Sequence, residues 1–478
     1  MAATGRYELN AMDNVMPRFF SSLIFTFRLK PGVTHDRVLE ILRASLQSAS
    51  DELPLFRRRV YAIPPSEENK TVGRLEAREH AAWTPEVMRN DLSDEWPDYD
   101  ELMDEGLPQD MLDGAVLLPS GRARIDLEEG TPMLIAQANY VEGGLLLGVS
   151  MFHPLVDGMS AALLLRVWAK HMRIQQGEAP AALEIPADCT NYDLLVDVWK
   201  NAGAPVAKGT PEEWRVLGLL PPGSEEPPRG TPPPMRTSIF YISAPAFSKL
   251  TAVAAAANAK DSDAAATAND ALMALLWRCV MRARKTAAPE KPCYSAPDAI
   301  AELDTTLNGR VLFDDALPWQ YMGTLVYIVT TRLPVAELIA PETTLASVVN
   351  AVRRAVAGIT REKALGVYGL AATKLPGYTA ETLRWPFATF EGAEACFSSW
   401  LSLPIMDMGF GGQVFANGGI PDYVRPERRM LDMVCRNCNI LPLRLEGGAE
   451  VLLSLTVEEM EILERDPEFG EFAQLLCH

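Results

Sequence analysis

The chain lacks long apolar runs, and it has no excess of positive charge. No stretch of about eighteen consecutive apolar residues occurs, and residues 1–10 do not contain the apolar core of a secretory signal. The formal net charge is −19, with no long basic run to offset it, which argues against nucleic acid and anionic membranes as partners. We therefore expect a cytoplasmic protein that binds neither nucleic acid nor membrane.

The sequence also offers little from which to build a metal site. Its seven cysteines are scattered and odd in number, which is typical of reduced thiols rather than of a disulfide framework. Cys435 and Cys438 have the Cys-x-x-Cys spacing, but a zinc site needs a second such pair or suitably spaced histidines. The chain has neither, so we interpret this segment as a strand and predict no metal.

Several familiar catalytic motifs are missing. There is no Gly-x-Ser-x-Gly elbow of a serine hydrolase, no convincing dinucleotide fingerprint and no His-Glu-x-x-His zinc helix. The glycines between residues 409 and 419 lack the Lys-Ser/Thr pair and the following helix that a phosphate loop requires. We interpret them as a tightly turned loop.

What the sequence does contain is enough apolar material for large cores. The chain has 478 residues, of which 48% are hydrophobic and 22% charged, so roughly two or three domains of an α/β (α+β) protein are expected. Strand-like and helix-like patterns alternate in two regions, which a proline-rich stretch separates. We predict an N-terminal half at 1–180, a crossover or linker at 181–235, and a C-terminal half at 236–478. Ligands tend to bind in the cleft between two such halves.

His153 is the strongest candidate for chemistry, because it is one of only five histidines and follows the apolar run 144–152. A helical pattern starts directly afterwards, so the imidazole stands at the end of a predicted buried strand, where it can face a cleft and act as a base. A lone histidine beside an apolar run is more often a satisfied core residue, and a His-x-x-x-Asp-Gly string also recurs by chance. The claim therefore depends on the rest of the chain.

Asp157 and Gly158 complete that string, and two roles are open to the carboxylate. It can orient the imidazole directly, or it can pair with a distant arginine and fix the turn into the helix. We favour the second role, because a carboxylate directed away from the cleft leaves His153 neutral and basic.

With these residues in view, the chain resembles the BAHD-type acyltransferases, in particular the fungal branch that includes trichothecene 3-O-acetyltransferases. The resemblance covers most of the chain and rests on five segments that occur in the family's order. They are 11–18, 153–158, 269–278, the Gly-Arg and Leu-Pro…Tyr-Met-Gly-Thr pattern within 308–324, and 398–400.

The resemblance implies two chloramphenicol-acetyltransferase-like domains, each a mixed sheet with flanking helices, with the active-site channel between them. It implies a monomer that needs no permanently bound cofactor and uses acyl-CoA, with acetyl-CoA favoured, as co-substrate. His153 would take the proton from a hydroxyl or amine of a small-molecule acceptor, such as a secondary metabolite, as that atom attacks the thioester.

The resemblance also assigns supporting roles to other residues. Asp157 would pair with Arg310 and, with Gly158, hold the corner. The oxyanion would lie near Trp400, Ser398 or Ser399, and Asn269, Asp270 and Gly411 would lie near CoA.

One family motif is altered in this chain. The first four residues of the pattern Asp-Phe-Gly-Trp-Gly align with residues 409–412, where Gly409 replaces the aspartate and Gly412 the tryptophan. In the family this aspartate is structural, and Asp407, two residues earlier, is the candidate substitute.

Two alternatives stay open at this point. Condensation domains of peptide synthetases share the His-x-x-x-Asp-Gly core but take acyl groups from carrier proteins. A pericyclase or binding protein that performs no acylation could also have kept the cleft. The sequence does not identify the acceptor, because specificity in a deep cleft depends on its shape.

Overall fold

The computed structural model describes most of the chain. It covers residues 5–64, 74–119, 125–179, 182–225, 233–257, 265–313, 316–374, 392–427 and 437–478. Cys435 lies outside the described residues, so the Cys-x-x-Cys segment can be followed only from Asn437 onward. Within the described part, no helix has the length and hydropathy needed to cross a membrane.

The strands are numbered in chain order. They are β1 (Gly5–Glu8), β2 (Phe20–Arg28), β3 (Arg58–Ala62), β4 (Leu75–Glu79), β5 (Val87–Asp91), β6 (Thr131–Pro132), β7 (Leu134–Val141), β8 (Gly144–Phe152), β9 (Met235–Ile242), β10 (Ile300–Asn308), β11 (Val326–Pro334), β12 (Glu394–Ser399), β13 (Val424–Pro426), β14 (Asn437–Ile440), β15 (Ala449–Thr456) and β16 (Gln474–Cys477).

The helices are numbered in the same way. They are α1 (Ala11–Val15), α2 (His35–Glu52), α3 (Tyr99–Asp104), α4 (Gly114–Leu117), α5 (Gly158–Gln175), α6 (Asp193–Ala202), α7 (Pro211–Val216), α8 (Ala244–Ala257), α9 (Ala268–Ala287), α10 (Pro292–Ser295), α11 (Val335–Ile339), α12 (Leu345–Ala357), α13 (Arg361–Lys374), α14 (Val457–Leu463) and α15 (Pro467–Phe472).

A five-stranded sheet in the order β13-β2-β8-β7-β5 carries the strand that leads to His153. The predicted hairpin is confirmed, since β7 and β8 pair antiparallel from Leu134 opposite Met151 to Val141 opposite Gly144. Every residue of β8 is buried, as expected for a continuous apolar run in a central strand. The end of β8 is therefore a rigid point of the fold.

A seven-stranded mixed sheet, β11-β10-β12-β14-β15-β9-β16, forms the core of the second half. Helix α9 is buried along nearly its whole length and packs in this core. Its first turn is held by a capping box between Thr267 and Asp270. A smaller four-stranded sheet, β1-β4-β3-β6, completes the sheet structure of the described residues.

The predicted division at 236 does not separate the two halves cleanly. β13 lies late in the chain, yet it pairs with β2 of the N-terminal sheet, with Val424 opposite Phe25. Phe410 and Phe415, which precede it, are buried in the N-terminal core. The reason is apolar burial, because these side chains complete a core that the first 180 residues leave open.

The stretch 181–235 is also more than a linker. Helices α6 and α7 bury Leu195 and Trp214 in a third core, together with Met12 of α1 and Tyr368 of α13. The prolines between its helices conceal this packing in the sequence, because they interrupt the periodicity by which buried helices are recognised.

Candidate active site

His153 lies where β8 ends and a 3-10 turn, His153–Leu155, begins. Its backbone N–H donates to the carbonyl of Phe19 at 2.9 Å, so the neighbouring strand fixes the backbone at this point. The imidazole packs edge-to-face on the Phe19 ring, with 5.2 Å between centroids. Part of the residue remains exposed, although its Nδ1 atom is buried.

The environment of His153 favours the neutral imidazole. Burial, the largest effect, lowers the pKa, while the local backbone and the charge of Asp157 act in the opposite direction without overcoming it. Within the described residues, Nδ1 makes no hydrogen bond of ordinary geometry. A neutral imidazole with one buried nitrogen has its other nitrogen, Nε2, available to accept a proton.

Asp157 is directed away from the imidazole. It caps α5 by accepting the N–H of Ser160 at 2.9 Å, and it also accepts the N–H of Leu325 at 2.9 Å. Its two oxygens lie 2.7 and 3.2 Å from Nη1 and Nη2 of Arg310. Burial opposes the ionised form, but the charge and hydrogen bonds of Arg310 outweigh it, so the pKa of Asp157 is lowered. The expected ion pair with Arg310 is present.

Arg310 holds the opposite side of the corner. Its guanidinium is buried and also donates to the carbonyls of Tyr321 and Gly323 and to the side chain of Asn308. One arginine therefore connects the start of α5 to the segment 321–325 of the second half. This fixes the position of the His153 corner at the junction of the two halves.

Gly158 lies close to the side chain of Leu403. A Cβ atom at this position would lie 2.9 Å from Cδ1 of Leu403, nearer than an ordinary contact. Leu403 belongs to the turn that Trp400 starts, since its N–H donates to the Trp400 carbonyl. Gly158 thus allows the corner to approach the segment that carries the predicted oxyanion group.

The residues predicted to surround the oxyanion differ in what they can donate. Trp400 donates its indole N–H to the hydroxyl of Ser398 at 3.1 Å, and Ser399 donates to the side-chain carbonyl of Asn269 at 2.7 Å. Ser398 is an acceptor in its bond, so its own O–H remains available. Of the three residues, Ser398 is therefore the one with a hydroxyl proton left to donate, and its role at the oxyanion stays a prediction.

Asn269 and Asp270 were predicted to contact the cofactor, and the structure shows both engaged with other side chains. Asp270 accepts from the backbone and hydroxyl of Thr267 and lies 3.6 Å from Arg353. It is buried, and a carboxylate repels phosphate groups. Contact with CoA stays a prediction for Asn269, whereas for Asp270 the geometry favours a capping role.

The altered motif forms a tight loop against the end of α5. Gly411 has φ +101° and donates its N–H to the carbonyl of Gly418 at 3.0 Å. A Cβ at Gly409 would lie only 3.0 Å from that same oxygen, so the family's aspartate would be crowded there. Asp407 instead pairs with Arg166 of α5 at 2.6 Å. These contacts give Gly411 a backbone role and leave cofactor contact by this residue a prediction.

Sequence reasoning did not single out Asp13. Its carboxyl group accepts the N–H of Thr324 at 2.8 Å and that of Asn10 at 3.0 Å. Burial, the largest effect, raises its pKa to about 8. The spacing of Asn10 and Asp13 is that of a capping box, which signals a helix start but not the contact with a residue more than three hundred positions away.

Comparison with known proteins agrees with this architecture. The profile of the transferase family matches residues 101–470, and that of the trichothecene 3-O-acetyltransferase-like N-terminal domain matches residues 19–171. TRI101 of F. graminearum, crystallised with coenzyme A and deoxynivalenol, superposes with a TM-score of 0.79 at 18% identity, over 99% of this chain and 100% of that one. This likeness confirms the predicted two-domain fold.

Two relatives illustrate the range of similar sequences. An isocyanide synthase-NRPS hybrid of Aspergillus fumigatus is 27% identical over 507 residues, covering 98% of this chain and 31% of that protein. An eremophilane O-acetyltransferase of Penicillium roqueforti is 25% identical over 492 residues, covering 98% of both. This chain therefore spans about a third of the hybrid and nearly all of the O-acetyltransferase.

Fold, corner and relatives together define an acyltransferase. The chain belongs to the transferase family, whose profile covers more than half of its length. The resemblance seen in the sequence to fungal acyltransferases is confirmed.

Proposed function

We propose that this protein transfers an acyl group, with acetyl favoured, from acyl-CoA to a hydroxyl or amine of a small secondary metabolite. The observation that carries the proposal is the His153 corner. A histidine with a lowered pKa stands at the junction of the two halves, while the nearby Asp157 is occupied by Arg310. The O-acetyltransferase relative and the CoA complex of TRI101 support the donor and the kind of acceptor. A monomeric, cytoplasmic enzyme is part of the proposal.

In the proposed reaction the acceptor O–H or N–H gives its proton to Nε2 of His153 as its heteroatom attacks the thioester carbonyl. The C–S bond then breaks, and the CoA thiolate takes the proton back from His153 to leave as the thiol. No second acid–base residue is needed, because a thiolate leaves readily without being protonated first. The negative charge that develops on the carbonyl oxygen is stabilised by the Ser398 hydroxyl.

The direct test combines purified protein, acetyl-CoA and a panel of alcohols and amines, with chromatographic detection of free CoA and of the product. We expect acceptor-dependent CoA release and a product heavier than the acceptor by one acyl group, whose mass identifies the acyl chain. Absence of CoA release with acetyl and longer acyl donors across the panel would contradict the proposal.

Ser398→Ala is expected to lower kcat by about a hundredfold to a thousandfold, the range for loss of one oxyanion donor, with little change in KM. Ser399→Ala is the matched comparison, because its hydroxyl donates to Asn269, so any effect of its loss should appear in the KM for acyl-CoA and not in kcat. Steady-state kinetics of the two variants tests the assignment. Equal losses in both would contradict it.

A carrier-protein-dependent reaction is the second candidate, because one relative is an NRPS hybrid. Acyl-CoA and the same acyl group on a phosphopantetheinylated carrier protein can be compared as donors in the same assay. Faster transfer from the carrier would favour the second candidate, and faster transfer from CoA the first.

A further inference from the structure

The N-terminal helix α1 reaches the catalytic corner from outside both large sheets. Asp13 accepts the N–H of Thr324 at 2.8 Å, and Asp157 accepts the N–H of the next residue, Leu325, at 2.9 Å. Two carboxyl groups thus bind consecutive amides of one segment. Arg310 pairs with Asp157, whereas Asp13 has no cationic partner within ion-pair distance among the described residues.

The same helix holds that segment at a second point. The side-chain amide of Asn10, which caps α1, donates to the hydroxyl of Tyr321 at 2.8 Å. The carbonyl of Tyr321 in turn accepts two N–H groups of Arg310, at 2.7 and 3.0 Å. Asn10 and Asp13 therefore contact both ends of the segment 321–325. Carbonyl groups of this segment bind Arg310, and one of its amides binds Asp157.

We propose that Asp13 is a positioning residue of the acyltransferase site: its carboxyl group fixes the segment 321–325 and, through Arg310 and Asp157, the corner that presents His153. This inference rests on the proposed function. It extends the site to a helix that comes before the first strand of the His153 sheet.

The surroundings of Asp13 favour its uncharged form. Asp157 and the phenols of Tyr192, Tyr321 and Tyr368 are the titratable groups that face it, and none of them supplies positive charge. Burial raises the pKa of Asp13 to about 8. The raised pKa favours the protonated carboxyl group, which avoids a second negative charge beside Asp157.

The protonated form also has a partner for its proton. The hydroxyl oxygen of Thr324 is buried beside Asp13 and makes no hydrogen bond of ordinary geometry within the described residues; its proximity acts to lower the pKa of Asp13 but does not overcome the effect of burial. A carboxylic acid can donate to this oxygen while still accepting the backbone N–H of Thr324. Asparagine can keep the bond from the Thr324 N–H through its amide oxygen and can donate to the Thr324 hydroxyl through its NH2 group, but it loses the bond that Oδ2 of Asp13 accepts from the Asn10 N–H. Alanine can make none of these bonds.

Asp13→Ala and Asp13→Asn test the inference, with Glu459→Ala as the matched control. Glu459 occupies the equivalent capping-box position in α14 and is similarly buried, but it lies in a helix of the second core. We expect Asp13→Ala to lower kcat on the order of tenfold or more, as for a small displacement of a catalytic group, with the KM for acyl-CoA little changed. Asp13→Asn should keep most of the activity. Glu459→Ala should lower the melting temperature and leave kcat unchanged.

The pH profile separates positioning from simple destabilisation. The wild-type rate should fall as pH rises above about 8 and Asp13 ionises, and Asp13→Asn should lack this decline. If Asp13→Ala does not fold, the pH–rate profile of Asp13→Asn alone still tests the inference. A decline that is the same in wild type and Asp13→Asn would overturn the inference.

A readout without substrates keeps this test independent of the proposed function. With only five histidines in the chain, the ring signals of ¹⁵N-histidine-labelled protein can be assigned through His153→Gln. We expect Asp13→Ala to move the His153 ring signal and Asp13→Asn to leave it in place. An unmoved signal in Asp13→Ala would overturn the inference, whereas absence of CoA release by wild type would count against the proposed function alone.

Discussion

Replacing His153 with alanine is expected to lower kcat by about a hundredfold to ten-thousandfold, the contribution typical of a general base. This corresponds to about 2.7–5.4 kcal/mol of transition-state stabilisation at 1.36 kcal/mol per factor of ten. Free CoA measured after a fixed time with the best acceptor of the panel gives the rate. The loss should be large because the neighbouring carboxylate, Asp157, cannot replace the imidazole: it is held by Arg310 and by the amides of Ser160 and Leu325.

His171→Ala is the matched control for this experiment. His171 lies near the end of α5, the helix that follows the His153 corner, and pairs with Glu52 at the end of α2, so its loss should leave kcat unchanged. Circular dichroism and thermal unfolding of both variants verify that the fold is retained. A folded His153→Ala variant with wild-type turnover would contradict the role of His153 as base.

The pH dependence of the same reaction follows from the direction of the His153 shift. The base must be neutral, so activity is lost as pH falls through its pKa, and burial places that pKa below the ordinary value of 6.5. The acid limb of kcat/KM should therefore lie below pH 6.5.

Asp157→Asn is expected to destabilise the protein by about 3–5 kcal/mol, because it leaves Arg310 buried without a counter-ion. Both side chains of this pair are only 3% exposed. The folded pKa of Asp157 is lowered, so its contribution to stability is present above the unfolded pKa and is lost as pH falls through the folded pKa. Urea unfolding at pH 7 measures the loss, and it should come with a fall in kcat, since the pair anchors the His153 corner.

The double variant Asp157→Asn/Arg310→Met shows how much of the stability loss comes from leaving one buried charge without its partner. Removing both charges should cost less than the sum of the single losses, because neither partner is left uncompensated. Asp407→Asn is the comparison for an exposed pair: Asp407 is 52% exposed opposite Arg166, so its loss should cost about 0–1 kcal/mol. Additive losses at the buried pair would refute its coupling.

Much of the fold could be predicted from periodicity. The run 144–152 is mostly apolar and short enough for a buried strand, and Gly143 supplies the positive φ of +76° that its turn requires. The helix after Asp157 was equally visible, since an aspartate before a helical pattern is a good N-cap. What periodicity could not show was the return of β13 to the N-terminal sheet, because strand pairing between distant segments leaves no local pattern.

Some features of the catalytic site could be predicted from the sequence, and others are visible only in the structure. The local string around His153 suggested a base, and the family resemblance suggested that Asp157 pairs with Arg310. Two features were not visible in the sequence. One is the set of hydrogen bonds that occupies Trp400 and Ser399 and leaves the Ser398 hydroxyl able to donate. The other is the contact of Asp13 with Thr324, which joins distant parts of the chain. Such distances and burial are properties of packing.

The sequence by itself determined that His153 ends a buried strand, that a capped helix follows, and that the chain resembles fungal acyltransferases. These conclusions depend on neighbours within a few residues or on the order of motifs. Only the tertiary structure decided which groups hold the corner and in which charge state. The physical reason is that desolvation and pairing set the pKa values of His153, Asp157 and Asp13, and both arise only when the two halves pack together.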